Sequence, residues 1–192
     1  MTATQTARTY DGTAVPTAGT YAFDVSHSNV GFSARHLVVA KVRGSFTDFD
    51  GSLVVAENPL ESSIDVSIDA ASVQTRDEQR DGHLRGADFL DVDRHPRLTY
   101  RSTGVRHVRG DRWEVNGELT VHGVTREVPL SVTFEGSTAD PWGNSRAVFS
   151  ATAKLNREDF GLTWNQALET GGVLVGKDIT IEIEVEAVLQ AS

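Results

Sequence analysis

The alternation near the end of the chain restricts the fold more than any other feature. In DITIEIEVEAVL, Asp178 to Leu189, the residues Ile179, Ile181, Ile183, Val185 and Ala187 alternate with Asp178, Thr180, Glu182, Glu184 and Glu186. A period of two places successive side chains on opposite faces of a strand, so the aliphatic groups share one face and the acids the other. The same pattern runs through Ile64, Val66 and Ile68, through Val128, Leu130, Val132 and Phe134, and through Phe149, Ala151, Ala153 and Leu155. Leu98 and Tyr100 alternate with Arg97, Thr99 and Arg101. Turn signals separate these runs. Asn116-Gly117, between Arg112 to Val115 and Glu118 to His122, reads as a type I′ hairpin turn. Asp140-Pro141-Trp142-Gly143-Asn144 and Gly171-Gly172 read as two further turns.

One segment departs from this pattern. TRDEQRDGHLRGA, Thr75 to Ala87, is polar and lacks the period of two. Thr75 with Glu78 reads as a capping box, and Gly86 as the end of a short helix. With few apolar side chains, that helix cannot cover a sheet. Some eight strands, each with one apolar face, must therefore cover one another as a sandwich or close into a barrel. The long strand runs favour an up-and-down antiparallel barrel, in which about eight strands leave room for one small ligand. Residues 1–18, small and mostly uncharged, read as a flexible N-terminal arm, either loose or laid on the barrel, and residues 19–192 as a single barrel domain.

Composition removes several functional classes. The chain has 192 residues and a formal net charge of -9, a balance that repels phosphate backbones and argues against nucleic-acid partners. It contains no cysteine, which removes disulfides, thiolate chemistry and thiolate metal sites. The N-terminus shows neither a basic n-region nor an apolar h-region, which leads to the expectation of a cytoplasmic protein. The longest apolar runs, Leu37 to Ala40 and Leu53 to Ala56, fall far short of the ~20 residues of a membrane-spanning helix.

The polar residues form no recognisable catalytic pattern. The six histidines, His27, His36, His83, His95, His107 and His122, include no pair at zincin spacing, so neither a metal nor a cofactor is expected. Asp88, Asp91 and Asp93, beside Asp81 of the helical segment, read as a solvated loop after the helix, with acid–base work by two carboxylates in a cavity as the alternative. The serines carry no nucleophile elbow and the glycines no dinucleotide fingerprint, so no catalytic residues are assigned.

Several ordered blocks, however, resemble one family, the YceI-like, polyisoprenoid-binding, lipocalin-like proteins. These are FDVSHSNVGFSARHL at Phe23, VRGSFTDFDGSL at Val42 and RDGHLRGADFLDVDRHPRLTY at Arg80. VNGELTVHGVTREVPL at Val115, NREDFG at Asn156 and VGKDITIEIEVEA at Val175 continue the match. The resemblance implies an all-β, extended antiparallel eight-stranded lipocalin-like barrel with a short helical lid. It also implies a homodimer and a long internal tunnel holding a polyisoprenoid, quinone-like or fatty chain.

By the same resemblance His27, Ser28, Arg80, Asp81 and His83 occupy motif positions, either bracing the lid or meeting a polar ligand head. The apolar slot is assigned to Phe32, Phe46, Phe49, Leu53, Ile68, Leu98, Tyr100, Leu119, Val121, Phe149 and Trp164. Strand parity supports most of these, although Phe46 and Phe49 require a bulge near Gly51 if both are to face inward. Three readings follow: a lipid carrier or sequestering module, a barrel enzyme of isomerase or cyclase type using cavity histidines and Asp81, and a scaffold with a filled interior.

Overall fold

The computed structural model describes residues 6–37, 40–167 and 173–191. Gly171-Gly172, read above as a turn, lies outside the described residues. The strands in chain order are β1 (Ala7–Tyr10), β2 (Thr13–Pro16), β3 (Gly19–Phe23), β4 (Asn29–His36), β5 (Ala40–Phe46), β6 (Phe49–Val55) and β7 (Ser63–Asp69). There follow β8 (Val73–Gln74), β9 (Arg97–Arg109), β10 (Arg112–Val121), β11 (Val124–Glu127), β12 (Leu130–Ala139), β13 (Ser145–Asn156) and β14 (Val175–Leu189). The α-helix among the described residues is α1 (Glu78–Arg85).

The strands close into an eight-stranded antiparallel barrel. The hydrogen-bonded order β13-β12-β10-β9-β7-β6-β3-β14 returns to its start through the β13–β14 pairing. β4, β5 and β8 continue the barrel wall along the other half of β14. β3 and β4 are two halves of one bent stave: β3 pairs β14 at Tyr21 to Phe23, and β4 pairs it from Asn29. The bend is a 3-10 turn at Val25–His27, capped by the Asp24 carboxylate, which accepts from the Ser26 amide at 3.1 Å.

β5 and β6 break at the same level, at Thr47-Asp48, and β7 and β8 break at a second 3-10 turn, Ala70–Ser72. These breaks hydrogen-bond to each other through Thr47 N to Ser72 O at 3.3 Å and Asp69 N to Asp48 O at 2.9 Å. Parity is therefore reset between Phe46 and Phe49, and both rings face inward without a bulge at Gly51, where β6 and β7 keep regular register.

Two local readings of the sequence require correction. Asn116-Gly117 does not turn the chain: β10 runs straight through it, opposite a one-residue bulge in β9 at Thr103. The glycine serves a close approach, because a Cβ at Gly117 would run into the Tyr100 ring. The hairpin turn lies instead at His122-Gly123, where φ is 52° and 73°, joining β10 to β11 with the positive φ that a type I′ turn needs. The helix is capped by Asp77, whose carboxylate accepts from the Arg80 amide at 3.0 Å, and not by Thr75. Gly86 does end the helix, with ordinary φ of -72°.

The segment expected as an arm contains an antiparallel hairpin, β1 with β2. Val15 is 2% exposed and packs among Tyr100, Trp113, Val115 and Leu130. The Arg8 guanidinium fastens the hairpin to the β6–β7 loop, donating to the carbonyls of Glu57 at 2.7 Å and Ala56 at 2.5 Å. No helix among the described residues is long and apolar enough to cross a membrane.

Candidate ligand cavity

The inward faces of the strands do not meet. They surround a cavity of about 880 Å³, toward the upper end of the size range of small-molecule sites. Ile179, Ile181, Ile183 and Val185, the aliphatic stripe of β14, all line it. They are half-buried rather than buried, because what lies in front of them is space.

All eleven residues of the expected slot line this one cavity. Phe32, Phe46, Phe49, Leu53 and Ile68 come from β4 to β7, and Leu98, Tyr100, Leu119 and Val121 from β9 and β10. Phe149 stands on β13 and Trp164 in the loop beyond it. Phe32 and Phe46 lie with ring centroids 5.6 Å apart, and Phe134 and Phe149 5.4 Å apart. The Tyr100 hydroxyl donates to the carbonyls of Val115 and Val128, each at 3.1 Å, and burial pushes its pKa up, so it stays a neutral donor.

The slot drawn from the sequence left out Val66, Val132 and Phe134, which line the cavity and stand on the apolar faces of alternating runs, so the period of two would have found them. It also missed Val15 and Pro16, contributed by the N-terminal hairpin, for which no periodic signal exists.

Most polar lining groups stand on α1 and the elements around it, with Ser62 and Ser150 elsewhere on the wall. His83 packs edge-on against Trp164, with centroids 4.6 Å apart, and against Phe89 at 5.0 Å. Its Nε2 lies 2.9 Å from the Asp88 carboxylate. Arg35, His36, Gln79 and Arg80 line the same mouth. Arg80 Nε donates to the Thr75 hydroxyl at 2.7 Å and a terminal nitrogen to the Thr75 carbonyl at 2.9 Å. Asp81 is buried, accepts from Thr75 and does not line the cavity. Arg80 and Asp81 thus both bond to Thr75 and fasten α1 to the residue after β8, and Arg80 and His83 line the cavity.

Arg157, another residue missed in the sequence, is buried and donates to the carbonyls of Gly176 at 3.0 Å and of Leu162. It ties the chain after β13 to the start of β14, and desolvation pushes its pKa down.

His27 and Ser28 are placed elsewhere, which corrects their assignment to the mouth. The Ser28 hydroxyl accepts from the Glu186 amide at 3.0 Å, closing the bend between β3 and β4. His27 is exposed, with Nδ1 3.0 Å from the Asp24 carboxylate. Neither lines the cavity. They border an ionic cluster in which Arg146 contacts Asp24 at 2.7 Å, Asp140 at 3.1 Å and Glu186. Hydrogen bonds from Ser26 and Arg146 hold the Asp24 carboxyl well below the usual carboxylate range.

A closed antiparallel barrel around an apolar cavity, with a short helix braced across polar groups at one mouth, defines the class: a β-barrel built to enclose rather than to present a surface. The model of the YceI-like domain matches residues 21–187, and the chain belongs to that family. A UPF0312 protein of Pectobacterium atrosepticum is 38% identical over 176 residues, which span 90% of this chain and 88% of that one. The crystal structure of a Campylobacter jejuni YCEI protein superposes with a TM-score of 0.70 at 28% identity, covering 82% of this chain and 90% of that one. A polyisoprenoid binding domain from Saccharophagus degradans, implicated in plant cell wall breakdown, shares the fold with a TM-score of 0.67 at 14% identity, over 88% of this chain and 98% of that one.

Proposed function

We propose that the chain binds and sequesters or carries a long apolar lipid, a polyisoprenoid, quinone-like or fatty chain, inside the barrel. One observation carries this reading: the inward aliphatic stripe of β14 keeps accessible surface around a cavity lined mostly by apolar side chains. Each methylene buried against such a wall contributes up to ~0.8 kcal/mol before the costs of association. The polyisoprenoid-binding description of the Saccharophagus degradans domain supports the same ligand class.

A binding role fits the interior better than an isomerase or cyclase role. A catalyst needs a titratable group presented to the substrate. The Tyr100 hydroxyl is committed to two carbonyls, Asp81 does not line the cavity, and His83, which does, is engaged with the Asp88 carboxylate at 2.9 Å. Uptake on this reading needs no metal or cofactor. We also propose a twofold homodimer, on family resemblance; light scattering that returns the mass of one chain at micromolar concentration would count against it. The deciding experiment is native mass spectrometry of freshly purified protein with organic extraction. A co-purifying long-chain lipid supports the proposal, and an interior that accepts no isoprenoid or fatty probe refutes it.

A further inference from the structure

Asp91, His95 and His122 bring three metal-ligating atoms within 4.8 Å of one another, from two parts of the chain. Asp91 and His95 are set side by side by a tight turn after α1, in which the amides of Arg94 and His95 donate to the Asp91 carbonyl at 3.0 and 2.8 Å. His122 stands at the tip of the β10–β11 hairpin. Asp91 and His122 both hold positive φ, 46° and 52°. All three are half-buried, and none lines the cavity.

Two further observations single out this cluster. The His95 and His122 rings meet each other, with centroids 4.8 Å apart, and neither imidazole has a hydrogen-bond partner among the described residues. The nearest cation to the Asp91 carboxylate is Arg94, at 3.7 Å, whose side chain is 79% exposed. The His95 ring also occupies space that only glycine leaves open: a Cβ at Gly123 would lie 2.7 Å from its Cε1 and 3.0 Å from its Nδ1. The other cluster of this composition, Asp24, His27 and Glu186, already has its cation, the Arg146 guanidinium.

We propose that Asp91, His95 and His122 form a site for one divalent transition-metal ion of the zinc class, outside the lipid cavity. Two imidazoles and a carboxylate match the donor preference of that ion, with water completing the shell. Bonds of 2.0–2.1 Å in tetrahedral geometry separate donors by roughly 3.3 Å, which side-chain rotation from the present spacing reaches. The ion clamps the segment after the lid helix to the barrel wall. That segment is held to α1 by Leu90 N to Leu84 O at 3.0 Å and Val92 N to Arg85 O at 3.0 Å, so the clamp stiffens the lid.

The test uses full-length protein without tag histidines, stripped with chelator and titrated with Co²⁺, then with Zn²⁺ in competition. The expected result is a visible d–d absorption band saturating at one equivalent and displaced by Zn²⁺. Zn²⁺ should move the ring resonances of His95 and His122 and leave those of His27 in place, a readout that needs no variant. His122→Ala and Asp91→Asn should each weaken binding by at least ~10-fold, whereas His27→Ala should leave it unchanged. No saturable band, or a band that survives His122→Ala or disappears in His27→Ala, overturns the proposal. Lipid-probe uptake by the stripped protein is measured separately, so failure of this site leaves the carrier reading standing.

Discussion

The carboxylate of Asp81 accepts two hydrogen bonds from a single residue, one from the amide of Thr75 at 2.7 Å and one from its hydroxyl at 2.5 Å. Thr75 in turn receives the Arg80 guanidinium on its hydroxyl and carbonyl oxygens. The lid helix is thereby stitched to the end of β8 at the level where the barrel opens. Arg85 adds a second row, donating to the carbonyls of Ala71 at 2.8 Å and Val73 at 2.9 Å.

Asp81→Ala should therefore loosen the lid before the barrel. It removes the one oxygen that accepts from both the amide and the hydroxyl of Thr75, leaving buried donors unmatched at a cost of about 1–3 kcal/mol each. Hydrogen exchange of the α1 amides should accelerate more than that of β13 and β14. Equal acceleration throughout would show that Asp81 supports the whole barrel rather than the lid.

Arg8 does the corresponding work at the N-terminal hairpin. Arg8→Gln loses charge-assisted hydrogen bonds to the β6–β7 loop and should release β1 and β2. The expected signs are faster proteolysis at the Asp11-Gly12 turn and new solvent access to Trp113, which packs with Tyr10 at a centroid distance of 6.3 Å. Unchanged cleavage kinetics would mean that Val15 alone anchors the hairpin.

The Arg146 cluster sets an acid limit on stability. Hydrogen bonds from Asn144, with support from Arg146, lower the Asp140 pKa to about 2, and Asp24 is lowered as well. A carboxyl whose folded pKa is depressed contributes stability that is full above its unfolded value of ~3.9 and lost as pH falls through the folded value. The urea midpoint of the unmodified chain should thus fall between about pH 4 and pH 2. Arg146→Gln leaves Asp24, Asp140 and Glu186 without their cation, so its deficit should be largest at neutral pH and shrink toward pH 3. A deficit independent of pH would assign Arg146 a packing role.

The barrel was legible because alternation survives through long stretches of β7, β13 and β14 despite bulges in β9 and β12, and an aliphatic stripe without a helix to cover it leaves few ways to close. The parity of Phe46 and Phe49 was not legible, because the break at Thr47-Asp48 depends on Ser72 and Asp69 across the sheet. Asn116-Gly117 misled because Gly117 answers to the Tyr100 ring and not to its own φ. The motif polar residues divided for the same reason. Arg80, Asp81 and His83 share a helix, so their common placement follows from local structure, whereas His27 and Ser28 lie at a bend whose outward direction depends on β14. The N-terminal hairpin buries chiefly Val15 and Pro16, too few apolar side chains to leave a pattern.

Phe149→Asp tests the cavity itself. Phe149 faces Phe134 across β12 and β13 and pairs with Val185 of β14, while the small side chains of Ala147 and Ala151 flank it on its own strand. The ring therefore borders open space on the apolar wall. An ionised carboxylate there would cost several kcal/mol to keep dry, so it must draw in water or take up a proton, and either outcome weakens the slot for an alkyl or isoprenoid chain. Uptake of a long-chain fluorescent probe should be lost. Glu184→Gln, on the exposed face of β14 opposite Ser150, should bind as the unmodified chain does. Circular dichroism and a urea midpoint taken in parallel separate lost binding from lost folding. A folded Phe149→Asp protein that keeps its probe affinity would remove β13 from the binding wall, whereas an unmodified chain that takes up no apolar probe would sink the carrier reading as a whole.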